Sequence, residues 1–226
     1  MRRLSALMDI LSAAERQRAE KFKFEKDFKL YVAGKIMARR AIADYAELDP
    51  ADIEFRIDKY GRPFLKYPQI NNFDFNISHS GDYVVLAISD RRVGIDVEKI
   101  KPVDFKIAET CFHDKESEYL NRDIDKRLEN FYKLWTLKES FIKAVGQGLS
   151  YPLKDFYFNM DEPDKIGIRI LKAPKEDREW NFAARNIDNA YQLALCTNEP
   201  GAKNALDSLI AAQFETFLKI DQKQEV

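Results

Sequence analysis

The sequence is poor in the features that mark several classes of protein. It has two cysteines, Cys111 and Cys196, far apart and without a CxxC pair. This excludes a disulfide framework and favours two small apolar fillers. No apolar run approaches the ~18 residues needed to span a bilayer, so no membrane segment is expected. The N-terminal segment carries Asp9 and Glu15 and no long apolar stretch, which excludes a secretory signal and predicts a cytoplasmic protein.

Strong net charge is also lacking. The formal net charge is -1, which argues against a nucleic-acid binder that works by bulk attraction. Residues 1–93 nevertheless carry a small excess of basic side chains, concentrated between Arg16 and Arg40, and the remainder carries an acidic excess. This distribution suits a phosphate-rich ligand held between a basic half and carboxylates. A solvated basic helix face explains the same segment equally simply.

The patterning of the first half predicts a helical region followed by short strands. Residues 12–47 have helical spacing with one break, and Ser12 with Glu15 forms a capping-box pattern at its start. A strand is predicted at 53–57. Three further strands are predicted at 73–79, 83–89 and 93–98, and we expect them to be antiparallel neighbours because the turns between them are too short for a helical crossover.

The second half repeats this order of helix and strands. A polar helical stretch at 104–127 precedes an amphipathic helix at 130–145, which Gly146 ends. Strands are predicted at 155–159, 166–171, 180–185 and 191–197. We therefore predict an α+β fold of two pseudo-symmetric lobes, each with a short antiparallel sheet packed on helices. The predicted division is a basic N-terminal lobe at 1–93, a C-terminal lobe with the candidate carboxylates at 94–200, and a helical tail at 201–226.

The strand at 93–98 carries the first candidate site residues. Alternate side chains of a strand share a face, so Asp96 and Glu98 project together while Ile95 and Val97 face the core. Two carboxylates on one face are suitable ligands for Mg²⁺. The competing interpretation is the exposed face of an edge strand, and it is the stronger one for this tripeptide alone.

The amphipathic helix carries the second candidate pair. Glu139 and Lys143 are four residues apart and therefore share one helical face with Trp135. Glu139 is a candidate metal ligand or base, and Lys143 a candidate phosphate contact. An ordinary surface ion pair worth ~0.3–0.5 kcal/mol explains the spacing as well.

The segment Asn76–Asp82 is the third candidate. Ser78 and His79 are consecutive, so in a strand they point to opposite faces and do not form a Ser–His hydrolase pair; the GxSxG elbow is also missing. A hydroxyl and a histidine at a strand end can instead donate to phosphate oxygens. The alternative is a hydrogen-bonded histidine at a turn.

The order of these three blocks carries more information than any one of them. NISHSG, then VGIDVE, then WTLKESFIKAVGQGLSYPL closely resembles the surfactin-synthetase-activating (Sfp-type) 4′-phosphopantetheinyl transferases. The resemblance runs from Phe55 to Phe158 and, more weakly, from Ser12 to Ala43. It implies an enzyme of the holo-carrier-protein synthase type. Such an enzyme transfers 4′-phosphopantetheine from coenzyme A to a serine of an apo acyl or peptidyl carrier protein and releases 3′,5′-ADP.

The resemblance also implies roles for single residues. Asp96, Glu98 and Glu139 correspond to the magnesium ligands, with Mn²⁺ as the alternative metal. Asp96, Glu139 and Lys143 correspond to the catalytic residues. Glu139, or a water molecule that it holds, would take the serine proton, and Lys143 and His79 would stabilise the leaving group. The residues implied in binding coenzyme A are Arg18, Arg62, Ser78, His79 and Lys143, of which Arg18 aligns only loosely.

The chain departs from the family pattern at both ends. The strand that usually precedes the first helix is missing, and the tail beyond Pro200 is long, so we expect differences in stability and partner contacts rather than in chemistry. The two-lobe pattern predicts a monomer that meets its carrier protein through the first lobe or residues 101–120. The alternatives are a Mg²⁺-dependent nucleotide hydrolase, a non-catalytic scaffold that has the family fold and, least favoured, a nucleic-acid-binding module.

Overall fold

The computed structural model describes residues 7–162, 165–172, 180–198 and 210–213. Groups of helices are followed by groups of short antiparallel strands, once in each half of the chain, which confirms the predicted α+β class. The helices are α1 (Ala13–Ala19), α2 (Glu25–Ala46), α3 (Lys106–Cys111), α4 (Asp114–Leu120) and α5 (Arg127–Val145). The strands are β1 (Glu54–Ile57), β2 (Pro63–Tyr67), β3 (Asp74–Ser80), β4 (Tyr83–Ser89), β5 (Val93–Lys99), β6 (Phe156–Glu162), β7 (Lys165–Ile170), β8 (Asn181–Ile187), β9 (Tyr191–Thr197) and β10 (Ile210–Gln213).

The helical region predicted at 12–47 forms two helices, with the break between α1 and α2. The Ser12 side chain accepts from the amide of Glu15, and the Glu15 carboxylate accepts from the amide of Ser12, so the predicted capping box is confirmed. Glu15 also binds the guanidinium of Arg39, which is 1% exposed. Arg39, although part of the basic segment, therefore stabilises the packing of α1 on α2 and is buried from any ligand.

Two three-stranded antiparallel sheets form the centre of the molecule. One has the order β10–β4–β3, and the other has the order β5–β9–β8; the pairs β1–β2 and β6–β7 form separate hairpins. Helix α2 buries its apolar face against β3 and β4, with Ala38 and Ile42 packed near Phe75 and Val84. Helix α5 packs on β5 and β9 in the second core.

The prediction for the three central strands is correct for β3 and β4 and wrong for β5. Strands β3 and β4 pair antiparallel, with Asp74 opposite Ser89. Strand β5 pairs with β9 in the other sheet, with Val93 opposite Thr197. On the side facing β3, side chains of β3 rather than its backbone accept hydrogen bonds from the β5 amides. Asn76, for example, accepts from the Ile95 amide.

Two helix predictions are also corrected. The stretch at 104–127 forms two short helices because His113 begins a new helix, where its ring accepts from the Lys115 amide and its own amide donates to Glu116. The tail at 201–226 was predicted to be helical, but residues 210–213 form strand β10 against β4. The rest of that tail lies outside the described residues. None of the helices in the described ranges is long and apolar enough to cross a lipid bilayer.

Candidate active site

Strand β5 and helix α5 meet at Gly94. A Cβ at this position would lie 2.0 Å from the carbonyl oxygen of Ser140 and 2.5 Å from the amide nitrogen of Ala144. The strand can therefore approach the helix backbone only because position 94 has no side chain. This close approach brings the carboxylates of β5 to the face of α5 that carries Glu139 and Lys143.

Asp96 lies at the centre of the site and is 3% exposed. Its Oδ1 accepts hydrogen bonds from Lys143 Nζ at 2.6 Å and from Ser78 Oγ at 2.8 Å. Its Oδ2 is buried and has no hydrogen-bond partner among the described residues. Burial raises the pKa of Asp96, although the Lys143 ammonium and the Ser78 hydroxyl act in the opposite direction.

Glu98 lies two residues further along the same strand face. Its Oε2 accepts a hydrogen bond from Ser80 Oγ at 2.8 Å. Partial burial is the main cause of the raised pKa of Glu98, and the neighbouring Asp96 carboxylate raises it further. Asp96 and Glu98 thus each accept from a different β3 hydroxyl, Asp96 from Ser78 and Glu98 from Ser80.

Glu139 joins this group from helix α5. Burial, followed by the negative charges of Asp96 and Glu98, raises the pKa of Glu139 to about 7, while the Lys143 ammonium partly offsets this effect. The three carboxylates are therefore close enough for their negative charges to repel one another. Repulsion of this kind is relieved by a proton or by a cation.

The three carboxylates fit a hard divalent cation by their chemistry. Carboxylate oxygens are the ligands that Mg²⁺ prefers, and the buried Oδ2 of Asp96 has a free acceptor capacity. Within the described ranges, no group of three or more Asp, Glu, His or Cys side chains is preassembled as a ligand set. The ammonium of Lys143 neutralises Asp96 in this structure.

Ser78 and His79 lie on opposite faces of β3, as their adjacency predicts. The hydroxyl of Ser78 contacts Asp96 and accepts from Lys143 Nζ at 2.9 Å. His79 is an exposed residue, but its surroundings desolvate the ring. This desolvation, with the Lys143 ammonium as the second cause, lowers the pKa of His79.

The contacts described for the two arginines predicted to bind coenzyme A are with groups other than the three carboxylates. Arg62 forms a salt bridge with Asp74 at 2.7 Å and donates to the carbonyl oxygens of Val93 and Ala144, so it joins the start of β3 and β5 to the end of α5. Arg18 is exposed on α1, where its charge acts on Tyr31 and Lys35.

The roles of two contributors to the site, Gly94 and Ser80, and of one buried neighbour, Lys138, were missed in the sequence. A glycine inside a predicted strand indicates a bulge or the close approach of another backbone, and Gly94 gave this signal, but the sequence does not show that α5 is the element that approaches. Ser80 shares the strand face of Ser78, and this two-residue spacing was the available signal. Lys138 precedes Glu139 but points into the core, where it pairs with Glu116 at 2.8 Å.

Two family models match this chain, and together they cover residues 1–196. Residues 1–91 match a family model described as 4'-phosphopantetheinyl transferase, N-terminal. Residues 92–196 match the model of the 4'-phosphopantetheinyl transferase superfamily. Holo-[acyl-carrier-protein] synthase of Thermotoga maritima is similar in structure, with a TM-score of 0.41 and 25% sequence identity over 46% of this chain and 61% of that chain.

Curated relatives match most of this chain and most of their own length. The 4'-phosphopantetheinyl transferase psf-1 of Bacillus pumilus is 34% identical over 92% of this chain and 88% of its own length. The 4'-phosphopantetheinyl transferase Sfp of Bacillus subtilis (strain 168) is 34% identical over 85% of this chain and 84% of its own length. The chain therefore belongs to the 4'-phosphopantetheinyl transferase family, which confirms the resemblance to the Sfp-type enzymes.

Proposed function

We propose that this chain transfers the 4′-phosphopantetheine arm of coenzyme A to a serine hydroxyl of an apo acyl or peptidyl carrier protein. The observation that carries the proposal is the convergence of β5 and α5. Asp96 and Glu98 from the strand and Glu139 and Lys143 from the helix form one charged cluster. Membership in the transferase family supports the same reaction.

We propose that Asp96, Glu98 and Glu139 hold Mg²⁺, with Mn²⁺ as the alternative. When bound, the cation offsets the negative charge of the coenzyme A diphosphate. The free Oδ2 of Asp96 and the mutual repulsion of the three carboxylates support this assignment.

The residues of the chain have distinct roles in the transfer. Glu139 accepts the proton from the carrier serine Oγ, which forms a bond to the β-phosphorus as the bond from that phosphorus to the bridging oxygen breaks. The leaving 3′,5′-ADP takes the released electron pair. The ammonium of Lys143, held by Ser78, offsets the charge of the leaving group, and His79 donates to its phosphate oxygens.

The proposal extends to the oligomeric state, the two lobes, the location and the carrier contact of the enzyme. Because β5 and α5 of one chain supply all the proposed ligands, we propose that the monomer is active. We also propose two lobes, at 1–93 and 94–200, and the meeting of the two family models at residues 91 and 92 supports this division. We place the enzyme in the cytoplasm and its carrier contact on the first lobe or at 101–120, where a hollow is lined by Phe105, Leu120 and Arg127.

The structure places the two arginines in different surroundings. Arg18 is exposed and available to a phosphate. The guanidinium of Arg62 is largely committed to Asp74 and backbone oxygens. We therefore propose that Arg62 acts mainly by holding the junction of β3, β5 and α5.

The test is transfer to an apo carrier protein, followed by intact-mass spectrometry after incubation with coenzyme A and Mg²⁺. Asp96→Asn and Glu139→Gln should each reduce the rate by at least about 100-fold, because each removes a charge that acts on the reacting phosphate. Asp90→Asn and Glu129→Gln, both at exposed positions, are the matched controls and should retain the wild-type rate.

Circular dichroism would show that the inactive variants keep their fold. Near-normal transfer by either variant would disprove the proposed centre. Release of a nucleotide from coenzyme A without any mass gain of the carrier would instead indicate the hydrolase. A panel of carriers from fatty-acid, polyketide and nonribosomal-peptide synthesis would then identify the preferred substrate.

A further inference from the structure

The junction of the two central sheets is a row of side-chain hydrogen bonds between β3 and β5, which we call the seam. Every second residue of β3 accepts a hydrogen bond from an amide of β5. The bonds are Val93 to Asp74 at 3.0 Å, Ile95 to Asn76 at 2.9 Å, Val97 to Ser78 at 3.4 Å and Lys99 to Ser80 at 3.1 Å. The constant step of two residues on both strands shows that β3 and β5 run in the same direction and in register.

Two residues of the seam contact the proposed metal ligands as well. Ser78 Oγ donates to Asp96, and Ser80 Oγ donates to Glu98, each at 2.8 Å. Each hydroxyl has one proton to donate and lone pairs that accept. Each hydroxyl oxygen accepts from a β5 amide, and each hydroxyl proton is donated to a β5 carboxylate. These two contacts together determine the orientation of the hydroxyl group.

We propose that Ser80 is a positioning residue that orients the Glu98 carboxylate for binding a divalent cation. This inference rests on the proposed function, because it takes Glu98 as a ligand. The hydroxyl engages Oε2 of Glu98 and leaves Oε1 available to a ligand. Contacts of this kind restrict the rotation of a carboxylate before the metal arrives, which is the usual role of hydrogen bonds behind a metal ligand.

Ser80 is a better test of this role than Ser78. Ser78 is buried and also accepts from Lys143 Nζ, so its loss would disturb the charge balance of Asp96. Ser80 is only partly buried. Removal of its hydroxyl therefore affects Glu98 and the Lys99 amide without changing the Lys143 contact.

The experiment measures Mn²⁺ binding by isothermal titration calorimetry, without coenzyme A or carrier protein. We expect Ser80→Ala to weaken Mn²⁺ binding by about 10-fold, within the range found when a hydrogen bond behind a metal ligand is removed. Ser80→Thr keeps the hydroxyl and should bind nearly as the wild type does. Ser80→Val has the shape of threonine without the hydroxyl and should bind as weakly as Ser80→Ala.

Ser89→Ala is the matched control, because this hydroxyl accepts from the Arg91 amide at a strand end and is not part of the seam. Unchanged Mn²⁺ binding in Ser80→Ala and Ser80→Val would overturn the proposal. Weaker binding in Ser89→Ala to the same degree would overturn it too. Thermal unfolding of each variant identifies a purely structural role, in which stability falls while the Mn²⁺ affinity of the folded protein is unchanged.

The transfer assay separates this inference from the proposed function. If the wild type binds Mn²⁺ but modifies no carrier, while the serine variants still differ as expected, the proposed function fails and the positioning role remains. If the wild type transfers phosphopantetheine and the variants bind Mn²⁺ equally, the positioning role alone fails. Absence of Mn²⁺ binding by the wild type would overturn both the metal assignment and the role of Ser80.

Discussion

Gly94 shows how a single residue can determine the geometry of the candidate site. The strand that carries two of the carboxylates approaches α5 so closely that a methyl group at this position would overlap the helix backbone. Backbone atoms within a helix cannot move aside as the end of a flexible side chain can. The close packing of β5 on α5 therefore requires glycine at position 94.

We predict that Gly94→Ala destabilises the protein by at least about 3 kcal/mol, the upper part of the range for overpacked cores. It should also abolish transfer, because β5 must move away from α5. Urea unfolding measures the first effect. Gly167→Ala in β7 is the matched control, since a Cβ there would make ordinary contacts at 3.8 Å with Asn159. Equal stability of the two variants would contradict the close approach.

Asp82 is a second residue that connects several elements of the fold. It lies in the turn after β3 and accepts hydrogen bonds from Lys26 Nζ at 3.0 Å, Tyr191 Oη at 2.9 Å and Lys99 Nζ at 3.3 Å. These bonds, led by the one from Lys26, lower the pKa of Asp82 to about 2 from 3.8. The carboxylate thus links α2 to β5 and β9.

The depressed pKa predicts a pH dependence of stability. Because the folded state holds the proton more weakly than the unfolded state, the stabilisation is present above pH 3.8 and is lost as the pH falls towards about 2. The unfolding free energies of the wild type and Asp82→Asn should therefore differ near neutral pH and converge in acid. A difference that stays constant down to pH 2 would contradict this link.

A buried ion pair between Lys138 and Glu116 connects helix α5 to helix α4. Lys138 and Glu116 are 1% and 0% exposed. Lys138 Nζ also donates to the carbonyl oxygens of Leu153 and Phe156, and Glu116 accepts from the amide of Phe158. Burial lowers the pKa of Lys138 and raises that of Glu116, and each partner counteracts the shift of the other.

We predict that Lys138→Met costs about 3–5 kcal/mol of unfolding free energy, because it leaves the Glu116 carboxylate buried without a counter-charge. The double variant Lys138→Met/Glu116→Gln should recover part of this loss, since glutamine can still accept from the Phe158 amide. A double-mutant cycle by urea unfolding gives the coupling. If Lys138→Met costs less than about 1 kcal/mol, the pair does not hold the helix.

The elements also show what the sequence can and cannot predict. Strands β4 and β9 begin and end at the predicted residues because turn residues bound their apolar runs. The period of two placed Asp96 and Glu98 on one face, but it cannot tell which strand pairs with β5. On the side of β5 that faces β3, the side chains of Asn76, Ser78 and Ser80 take the place of a backbone partner.

The distribution of charge along the chain predicted only in part which basic residues are available to a ligand. The basic segment Arg16–Arg40 was predicted to serve a phosphate-rich ligand or to be a solvated helix face. The structure divides its residues among several roles: Arg39 is buried against Glu15, Lys26 binds Asp82, and Arg18 is exposed. A count of charges cannot separate internal ion pairs from free cations, because partners such as Glu15 and Asp82 are set by the tertiary fold.

The seam between β3 and β5 makes the candidate centre sensitive to how the two halves of the molecule dock. The serine hydroxyls that join the strands are the same groups that contact Asp96 and Glu98. A slip of one strand past the other by a single residue would turn these hydroxyls to the opposite face and release both carboxylates together. A chain whose two halves fold correctly but are misaligned at the seam would therefore lack transfer activity. Transfer activity is thus a measure of the correct alignment of β3 with β5.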